Sequence, residues 1–316
     1  MPSEALPVGL IAMAFALGVM TCLAVIAVGL SLKGRKKYTP SKGPHGAGGM
    51  GPAIVAAARS GALQLHYQPK VDCRTMKLCG AEALSRWTLP DGTLLPAEEF
   101  VARAEAVGGI AELTLWGVQQ ALEDSEKLDG ESLGGPILVN LSVNLINIDF
   151  VSKLIAIIGS KAAKVGFEIT ETAVLDNPDE ALICLHMLRD AGIRLAIDDY
   201  GAGLSSLSYL KQIPASELKI DRKFIQGMTT SNRDPLIVRS TIDLCHGLGM
   251  TVTAEGVEDA MTASLLRMMG CDSIQGYLIS KAVPIDELLQ FISNHPGTVP
   301  QARQIRKIAG QSGADW

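Results

Sequence analysis

The stretch Leu195-Ala-Ile-Asp-Asp-Tyr-Gly-Ala-Gly-Leu-Ser-Ser-Leu207 decides how the rest of the sequence is interpreted. A short apolar run ends in two adjacent carboxylates, Asp198 and Asp199, and a glycine-rich loop follows. Because successive strand residues point to opposite faces, both carboxylates reach one site only if the strand stops there. Like charges so placed repel, so the pattern predicts a metal ion, a lysine or both beside them. For this pair alone, a helix N-cap beside a solvated acid is the alternative.

Length, charge and cysteine spacing limit the class of protein. The chain has 316 residues, enough for a membrane anchor plus one barrel-sized domain or two small ones. Its formal net charge of −5 argues against a surface that coats nucleic acid, so we expect no nucleic-acid polymer as a partner. The six cysteines show neither metal-ligand spacing nor a disulfide framework, and we interpret them as reduced thiols.

The first residues have the composition of a membrane anchor. No charged residue occurs from Ala5 to Leu32, a run long enough to cross a bilayer, and four basic residues follow between Lys33 and Lys37. Residues 1–38 therefore predict a single-pass anchor that contacts the bilayer through residues 6–32, with its amino terminus outside. A cleaved signal peptide is the alternative, but it would have a basic start and a shorter apolar core.

The remainder divides by composition into three parts. Residues 39–52 are rich in Gly and Pro and predict a flexible linker. Residues 53–294 have the alternating pattern of a folded domain, and residues 295–316 form a polar tail without a clear core period.

Short apolar segments alternate with segments of helical spacing in the folded part. Its helical segments include Glu98–Leu122, Glu180–Ala191 and Arg233–Leu248. The predicted strands are Gln64–Val71, Leu78–Arg86, Ile137–Leu141, Val165–Thr170, Ile193–Asp198, Glu217–Ile220, Thr251–Ala254 and Ser273–Tyr277. Eight strands with interleaved helices over about 240 residues fit an α/β fold of the TIM (β/α)8 barrel type. Only Asp72–Lys77 separates the first two strands, so we expect a hairpin and a modified barrel with one antiparallel strand.

Polar residues occur at or near the later ends of these strands, where the active sites of such barrels form. They are Glu82, Asn140, Glu168, Asp198, Asp199, Lys219, Glu255 and Gln275. Several carboxylates cannot converge as bare charges, and bound divalent cations would resolve the conflict. Oxygen ligands favour Mg²⁺, Mn²⁺ or Ca²⁺ over zinc, and two such cations suit in-line displacement at phosphorus. The pattern predicts metal-dependent phosphoester hydrolysis.

Eight motifs in order make the chain resemble the EAL domain, a bacterial family of cyclic-di-GMP phosphodiesterases, from roughly Ala53 to Ser293. Four are Tyr-Gln-Pro-Lys-Val (67–71), Glu-Ala-Leu-Ser-Arg-Trp (82–87), Val-Asn-Leu-Ser (139–142) and Glu-Ile-Thr-Glu (168–171). The others are Ile-Asp-Asp-Tyr-Gly-Ala-Gly (197–203), Leu-Lys-Ile-Asp (218–221), Ala-Glu-Gly-Val-Glu (254–258) and Gln-Gly-Tyr (275–277). The resemblance implies hydrolysis of cyclic-di-GMP to linear pGpG, and the predicted anchor with its basic flank implies that this occurs at the cytoplasmic face of a bacterial inner membrane.

The resemblance also implies two divalent cations, Mg²⁺ or Mn²⁺, with Ca²⁺ expected to inhibit. The implied ligands of the first cation are Glu82, Asn140, Glu168 and Asp198. Those of the second are Asp198, Asp199 and Glu255, with Asp198 bridging. Lys219 is the implied catalytic partner of Glu82 and Asp199, and its chemistry leaves two roles open, a base with a depressed pKa or a charged group that steadies the attacking oxygen.

Other positions carry weaker implications. The resemblance assigns substrate contacts to Gln68, Leu84, Arg86 and Gln275. Glu171 resembles a clamp on the loop after the Asp pair, although a helix N-cap acid is an alternative. Glu258 is either a support of the site or a surface acid at the start of a helix.

Three departures from the family pattern concern regulation more than chemistry. They are Ala202, Leu204 and the pair Lys281-Ala282, and the family often pairs into homodimers near this region. The rival function is a catalytically inactive receptor for cyclic-di-GMP or a protein-interaction module. Every expected ligand position is filled, which favours the enzyme.

Overall fold

The computed structural model describes residues 50–128, 133–170, 178–200 and 210–294, and the statements below concern these ranges. The predicted anchor, the linker up to residue 49 and the tail lie outside them, as do Glu171, Ala202 and Leu204. Within the described ranges, no helix has both the length and the apolar composition that a bilayer span needs.

The strands form one sheet that closes into a barrel, which confirms the predicted fold class. In chain order they are β1 (Leu63–Asp72), β2 (Leu78–Thr88), β3 (Leu94–Leu95), β4 (Ile137–Asn140), β5 (Val165–Thr170), β6 (Leu195–Tyr200), β7 (Glu217–Ile220), β8 (Thr251–Ala254), β9 (Ser273–Gln275) and β10 (Val283–Pro284). The barrel order is β1-β9-β8-β7-β6-β5-β4-β2, and the pairing of β2 with β1 closes it. The short strands β3 and β10 extend β2 and β1 at the margin.

Helices cover the outside of the barrel. They are α1 (Gly51–Arg59), α2 (Ala97–Val107), α3 (Ile110–Lys127), α4 (Ile148–Ile158), α5 (Pro178–Asp190), α6 (Arg222–Gln226), α7 (Asp234–Gly247), α8 (Ala260–Met268) and α9 (Ile285–Asn294), with 3-10 turns at Val143–Leu145 and Gly159–Lys161. The helix α1 begins within the last two residues of the predicted linker. The predicted helices at 180–191 and 233–248 agree with α5 and α7 within two residues.

The reversed strand of the predicted barrel is β1. It pairs antiparallel with its barrel neighbours β2 and β9, whereas the other seven barrel strands run parallel to one another. The hairpin turn is stabilised by Asp72, whose Oδ1 accepts hydrogen bonds from the backbone and hydroxyl of Thr75. The sequence prediction of a hairpin is confirmed, because a turn this short leaves no length for a crossover helix.

Two predicted boundaries were wrong, and glycine explains both. The predicted helix Glu98–Leu122 is two helices, since Gly108 and Gly109 have φ angles of 81° and 131°, which a helix cannot continue through. The predicted strand Ser273–Tyr277 ends at Gln275 because Gly276 has a φ of 154° and lies against the Val257 backbone, where a Cβ atom would come within 2.3 Å.

The core packs between the barrel and its helices. Strand residues such as Phe167, Ile169 and Leu218 are fully buried together with Leu154 and Leu188 of the surrounding helices. A smaller apolar cluster under α1 contains the edge-to-face pair Trp87 and Phe100, with ring centroids 5.7 Å apart, and closes the side of the barrel near β2.

A buried ion pair fills the barrel interior below the carboxyl ends of the strands. Lys70 Nζ of β1 lies 2.5 and 2.6 Å from the two carboxylate oxygens of Glu217 in β7. Thr253 of β8 donates to Glu217 at 2.6 Å and lies 2.5 Å from the hydroxyl of Ser273 in β9. The reversed strand is therefore joined by charge to the opposite wall of the barrel.

Tyr67→Phe tests how β1 is held against its covering helix. The Tyr67 hydroxyl donates to Asp124 Oδ2 at 2.5 Å, and both residues are buried. Removing the donor from a buried carboxylate should lower the free energy of unfolding by about 1–3 kcal/mol. Urea denaturation followed by circular dichroism measures this, and a change below about 0.3 kcal/mol would contradict the assigned tie.

Candidate active site

The carboxyl ends of the barrel strands bring the predicted site residues together. Glu82 lies on β2, Asn140 ends β4, Glu168 lies on β5, Lys219 on β7 and Gln275 ends β9, while Glu255 directly follows β8. Because neighbouring parallel strands end at one rim, residues almost two hundred positions apart in the chain become neighbours.

A bulge in β6 turns both adjacent aspartates toward this rim. The pairing of β6 with β7 changes register between Ile197 and Tyr200, and Asp199 has a left-handed φ of 54°. One carboxylate oxygen each of Asp198, Asp199 and Glu255 lie within 4.8 Å of one another. The prediction that the strand must stop at the pair was wrong: the strand continues to Tyr200, and the bulge provides the change of direction.

The ammonium group of Lys219 lies at the centre of the site. Lys219 is 1% exposed, and its Nζ lies 2.7 Å from an oxygen of Glu168, 2.7 Å from Glu255, 3.1 Å from Asp198 and 3.2 Å from Glu82. Burial lowers the pKa of Lys219, but the four carboxylates outweigh it and hold the pKa well above its usual value. In this arrangement the lysine is a charged group.

The carboxylates differ in how their charge is supported. Burial raises the pKa of Glu82, but the attraction of Lys219 and hydrogen bonds from Gln275 and Asn140 lower it below its usual value. Burial and the repulsion of Glu82 raise the pKa of Glu168 well above its usual value, against the attraction of Lys219. One cation does not neutralise this many buried acids.

The acids nearest solvent also carry uncompensated charge. Burial, followed by repulsion from Asp198 and Glu82, raises the pKa of Glu255 to about 7, although Lys219 opposes the change. Burial and the charge of Asp198 raise the pKa of Asp199 as well. Each shift has the direction expected where carboxylates crowd together without enough positive charge.

The donor set fits divalent cations that prefer oxygen. Glu168 Oε1 and Asp198 Oδ1 are buried and form no hydrogen bond within the described ranges, and Asp198 Oδ1 has only the ion pair with Lys219 at 3.1 Å, so both oxygens retain lone pairs that a cation can use. The cluster of Asp198, Asp199 and Glu255 has the spacing of a cation site. Carboxylate oxygens are the ligands that Mg²⁺ and Mn²⁺ prefer, so the residues agree with the predicted cofactors.

Amide side chains fix the position of Glu82. Gln275 Nε2 donates to Glu82 Oε2 at 2.6 Å and to Gln68 Oε1 at 3.1 Å, and Asn140 Nδ2 donates to Glu82 Oε1 at 3.4 Å. Gln68 in turn donates to the carbonyl of Ser280 at 3.2 Å. Gln275 was predicted as a substrate contact, with ordinary hydrogen bonding as the alternative; it bonds to the Glu82 carboxylate and also lines the pocket, so the substrate contact stays a prediction.

A pocket of about 200 Å³ opens beside these groups. Its lining includes predicted residues and some that the sequence analysis missed. The predicted ones are Gln68, Glu82, Leu84, Asp198, Glu255, Glu258 and Gln275, and the missed ones are Arg222, Gly256, Gly276 and Tyr277. Arg222 follows the motif Leu-Lys-Ile-Asp directly, a position that could have indicated it.

The two remaining predicted residues within the described ranges, Arg86 and Glu258, have weaker contacts with the site. Arg86 is half-buried, donates to the Ser85 carbonyl at 3.0 Å and interacts electrostatically with Glu82 and Tyr277. Glu258 lies at the pocket and accepts a bond from Gln226 at 3.5 Å. The roles of all site residues in binding and catalysis stay predictions.

Fold and site together define a TIM-like barrel with an oxygen-rich cation site at its carboxyl rim. Residues 53–282 match the family model described as the EAL domain, and the chain belongs to the EAL domain family. This is the family of cyclic-di-GMP phosphodiesterases. The family identified from the sequence motifs is therefore confirmed.

Known relatives agree with this assignment. A protein of Azorhizobium caulinodans is 42% identical over 242 residues, which cover 73% of this chain and 33% of that protein. The cyclic di-GMP phosphodiesterase NbdA of Pseudomonas aeruginosa is 35% identical, with 75% of this chain and 31% of NbdA covered. The chain thus spans about a third of the length of the curated relatives it matches.

A solved structure gives the same result. The PaMucR phosphodiesterase in complex with c-di-GMP superposes with a TM-score of 0.68 at 34% identity, covering 75% of this chain and 99% of that one.

Mg²⁺ or Mn²⁺ should raise the melting temperature of the wild-type protein. A ligand that binds only the folded state at a hundred times its Kd stabilises by about 2.7 kcal/mol. Asp199→Asn should lose more than half of this shift in a thermal melt, because a charged ligand is replaced. The matched control Asp190→Asn changes an exposed acid at the end of α5 and should keep the full shift. Equal shifts in both variants would argue against the cation site.

Lys219→Met should destabilise the protein in EDTA. The substitution leaves Glu82, Glu168 and two further carboxylates without their ammonium partner, and breaking buried ion pairs costs about 3–5 kcal/mol. Because the pKa of Glu168 is raised, lowering the pH protonates this carboxylate and relieves the repulsion. The loss of unfolding free energy should therefore be largest at pH 8 and smaller at pH 5. Urea unfolding at both pH values measures it, and a pH-independent loss would contradict the electrostatic cause.

Proposed function

We propose that this chain is a metal-dependent phosphodiesterase that hydrolyses cyclic-di-GMP to linear pGpG. The observation that carries the proposal is the ring of four carboxylates around Lys219, with Asp199 beside it, at the carboxyl rim of an EAL-family barrel. NbdA, at 35% identity, is named as a cyclic di-GMP phosphodiesterase, and the PaMucR structure holds c-di-GMP. These relatives support the substrate.

The cations would be held by Glu82, Asn140, Glu168, Asp198, Asp199 and Glu255. When bound, they supply Lewis acidity at the scissile phosphodiester and favour ionisation of the attacking water. Asp198 would contribute to both positions, because its carboxylate contacts the same ammonium group as Glu82 and Glu168 and also belongs to the cluster with Asp199 and Glu255.

The protein side chains perform the remaining work of the hydrolysis. The oxygen of water forms a new bond to phosphorus, the bond from phosphorus to the ribose O3′ breaks, and O3′ takes up a proton. Negative charge develops on the phosphoryl oxygens during this step, and the charged Lys219 is placed to stabilise it. Gln275 and Asn140 hold the Glu82 carboxylate in one orientation throughout.

Of the two roles that the sequence left open for Lys219, we propose the charged one. A base would need a depressed pKa, whereas the four carboxylates raise the pKa of this lysine well above its usual value. Positioning and stabilisation of the attacking oxygen are therefore its proposed part.

The proposed location is a bacterial inner membrane. It rests on the uncharged apolar run from Ala5 to Leu32 and on the basic residues that follow, with the catalytic barrel on the cytoplasmic side. Fractionation of cells that express the chain tests this, and recovery of the full-length protein in the soluble fraction would contradict it.

The central test is product formation by the purified full-length chain in detergent with Mg²⁺ or Mn²⁺. We expect pGpG by chromatography, abolished by EDTA and lowered about 10²-fold or more for Glu82→Ala, because removal of a proposed cation ligand should cost at least the 10–100-fold that loss of a ligand's supporting residue costs. Glu287→Ala, an exposed acid on α9, is the matched control and should retain activity. Binding of intact cyclic-di-GMP without turnover would support the receptor, and the absence of both would overturn the assignment.

A further inference from the structure

A second acid faces the barrel interior from the same strand as Lys219, and the proposed function gives it no part. Glu217 and Lys219 are separated by one residue of β7, so their side chains share one face of the strand, while Leu218 between them is buried on the other. Residues on one face of a strand lie only about 7 Å apart. The side chain of Lys219 is therefore long enough to bring its ammonium group down to Glu217.

Lys70 already pairs with this acid. Its Nζ lies 2.5 and 2.6 Å from the two carboxylate oxygens of Glu217. Thr253 donates to the same carboxylate at 2.6 Å, and because that bond uses its one hydroxyl proton, it accepts from Ser273. Burial raises the pKa of Glu217, but Lys70 foremost and Lys219 to a smaller extent lower it below its usual value. Glu217 is thus a charged acid that also attracts Lys219.

The barrel wall leaves room for Lys70 to reach across the interior. Gly80 of β2 pairs with Lys70 in the hairpin, and a Cβ atom there would come within 3.4 Å of Lys70 Cε. Lys70 is 5% exposed. Among the residues that the structure describes, its ion pair is with Glu217 and with none of the four carboxylates around Lys219. The buried charge of Lys70 therefore serves Glu217 alone.

Charge balance shows why this pairing matters for the cation site. Two divalent cations would offset four of the five carboxylate charges at the rim, which leaves one negative charge for the ammonium of Lys219. An unpaired Glu217 would carry the same charge directly below. Because a buried charge without a partner is costly, such a carboxylate would compete for Lys219.

We propose that Lys70 is a positioning residue whose ion pair with Glu217 keeps the ammonium group of Lys219 at the cation site. Without Lys70, the ammonium turns down to Glu217 and no longer stabilises the charge that develops on the phosphoryl group. Lys70 does not line the pocket beside the acids, so its effect belongs to kcat and not to KM. The kinetic consequence rests on the proposed function, whereas cation binding tests the same positioning without turnover.

Titration of Mn²⁺ into the metal-free, full-length protein in detergent is the first test. A neighbouring charge changes the affinity of a carboxylate for a proton by about tenfold or more, and a departing ammonium makes the rim more attractive to cations. The Kd for Mn²⁺ should therefore fall about threefold or more in Lys70→Met, whereas lost packing alone would raise it. Lys70→Gln, whose amide still donates to Glu217, is the milder variant should Lys70→Met not fold. An unchanged or raised Kd overturns the proposal.

Turnover of cyclic-di-GMP at saturating Mn²⁺ is the second test. Loss of a residue that supports a site group typically costs about 10–100-fold, so kcat of Lys70→Met should fall by this factor while KM stays within about twofold. The double variant Lys70→Met/Glu217→Gln also removes the competing charge and should recover kcat to within about threefold of the wild type. A double variant as slow as the single one would show lost packing and overturn the positioning role.

Lys127→Met is the matched control. Lys127 Nζ pairs with the buried Asp124 at 2.7 Å on α3, outside the barrel interior. Its loss should leave the Kd for Mn²⁺ and kcat unchanged, and equal effects of the two lysine variants would contradict the proposal. A wild-type protein that does not hydrolyse cyclic-di-GMP overturns the proposed function, while the Mn²⁺ titration still decides the role of Lys70.

Discussion

The contact of one buried ammonium group with four carboxylates is the constraint on which this structure depends. Within the described ranges, Lys219 is the only cation that forms an ion pair with Glu82, Glu168, Asp198 or Glu255. Its single charge holds the acids together without neutralising them, as the raised pKa values of Glu168 and Glu255 show. The remaining negative charge is what makes the rim a site for divalent cations, because bound cations relieve the same repulsion.

The barrel that holds this cluster is itself cross-linked by an ion pair. The reversed strand β1 reaches across the barrel through Lys70 to Glu217, which lies two residues before Lys219 and on the same face of β7. Two polar layers therefore lie one above the other inside the barrel, a neutral pair below and a net-negative ring above. The helices pack their apolar faces around the strands and keep water from the Lys70–Glu217 layer. The carboxylate ring above that layer is therefore held in a rigid geometry.

Two uncommon backbone conformations shape the rim and its pocket. The bulge at Asp199 turns two successive carboxylates toward the rim, and Gly276 lies against the Val257 backbone directly before Tyr277, which lines the pocket. Each feature depends on one residue with an uncommon backbone conformation, Asp199 with a φ of 54° and Gly276 with a φ of 154°.

The sequence by itself determined the barrel, its reversed first strand, the family and the acids of the site, because strand-end polar residues and a short hairpin are local patterns. Tertiary structure alone decided which of these groups touch. The charged state of Lys219, the hydrogen bond from Gln275 to Glu82 and the bulge that replaces a strand end could not be predicted from the sequence. Each depends on atoms from strands that are separated in the sequence. The distances and electrostatic interactions between these atoms are set only once the barrel closes.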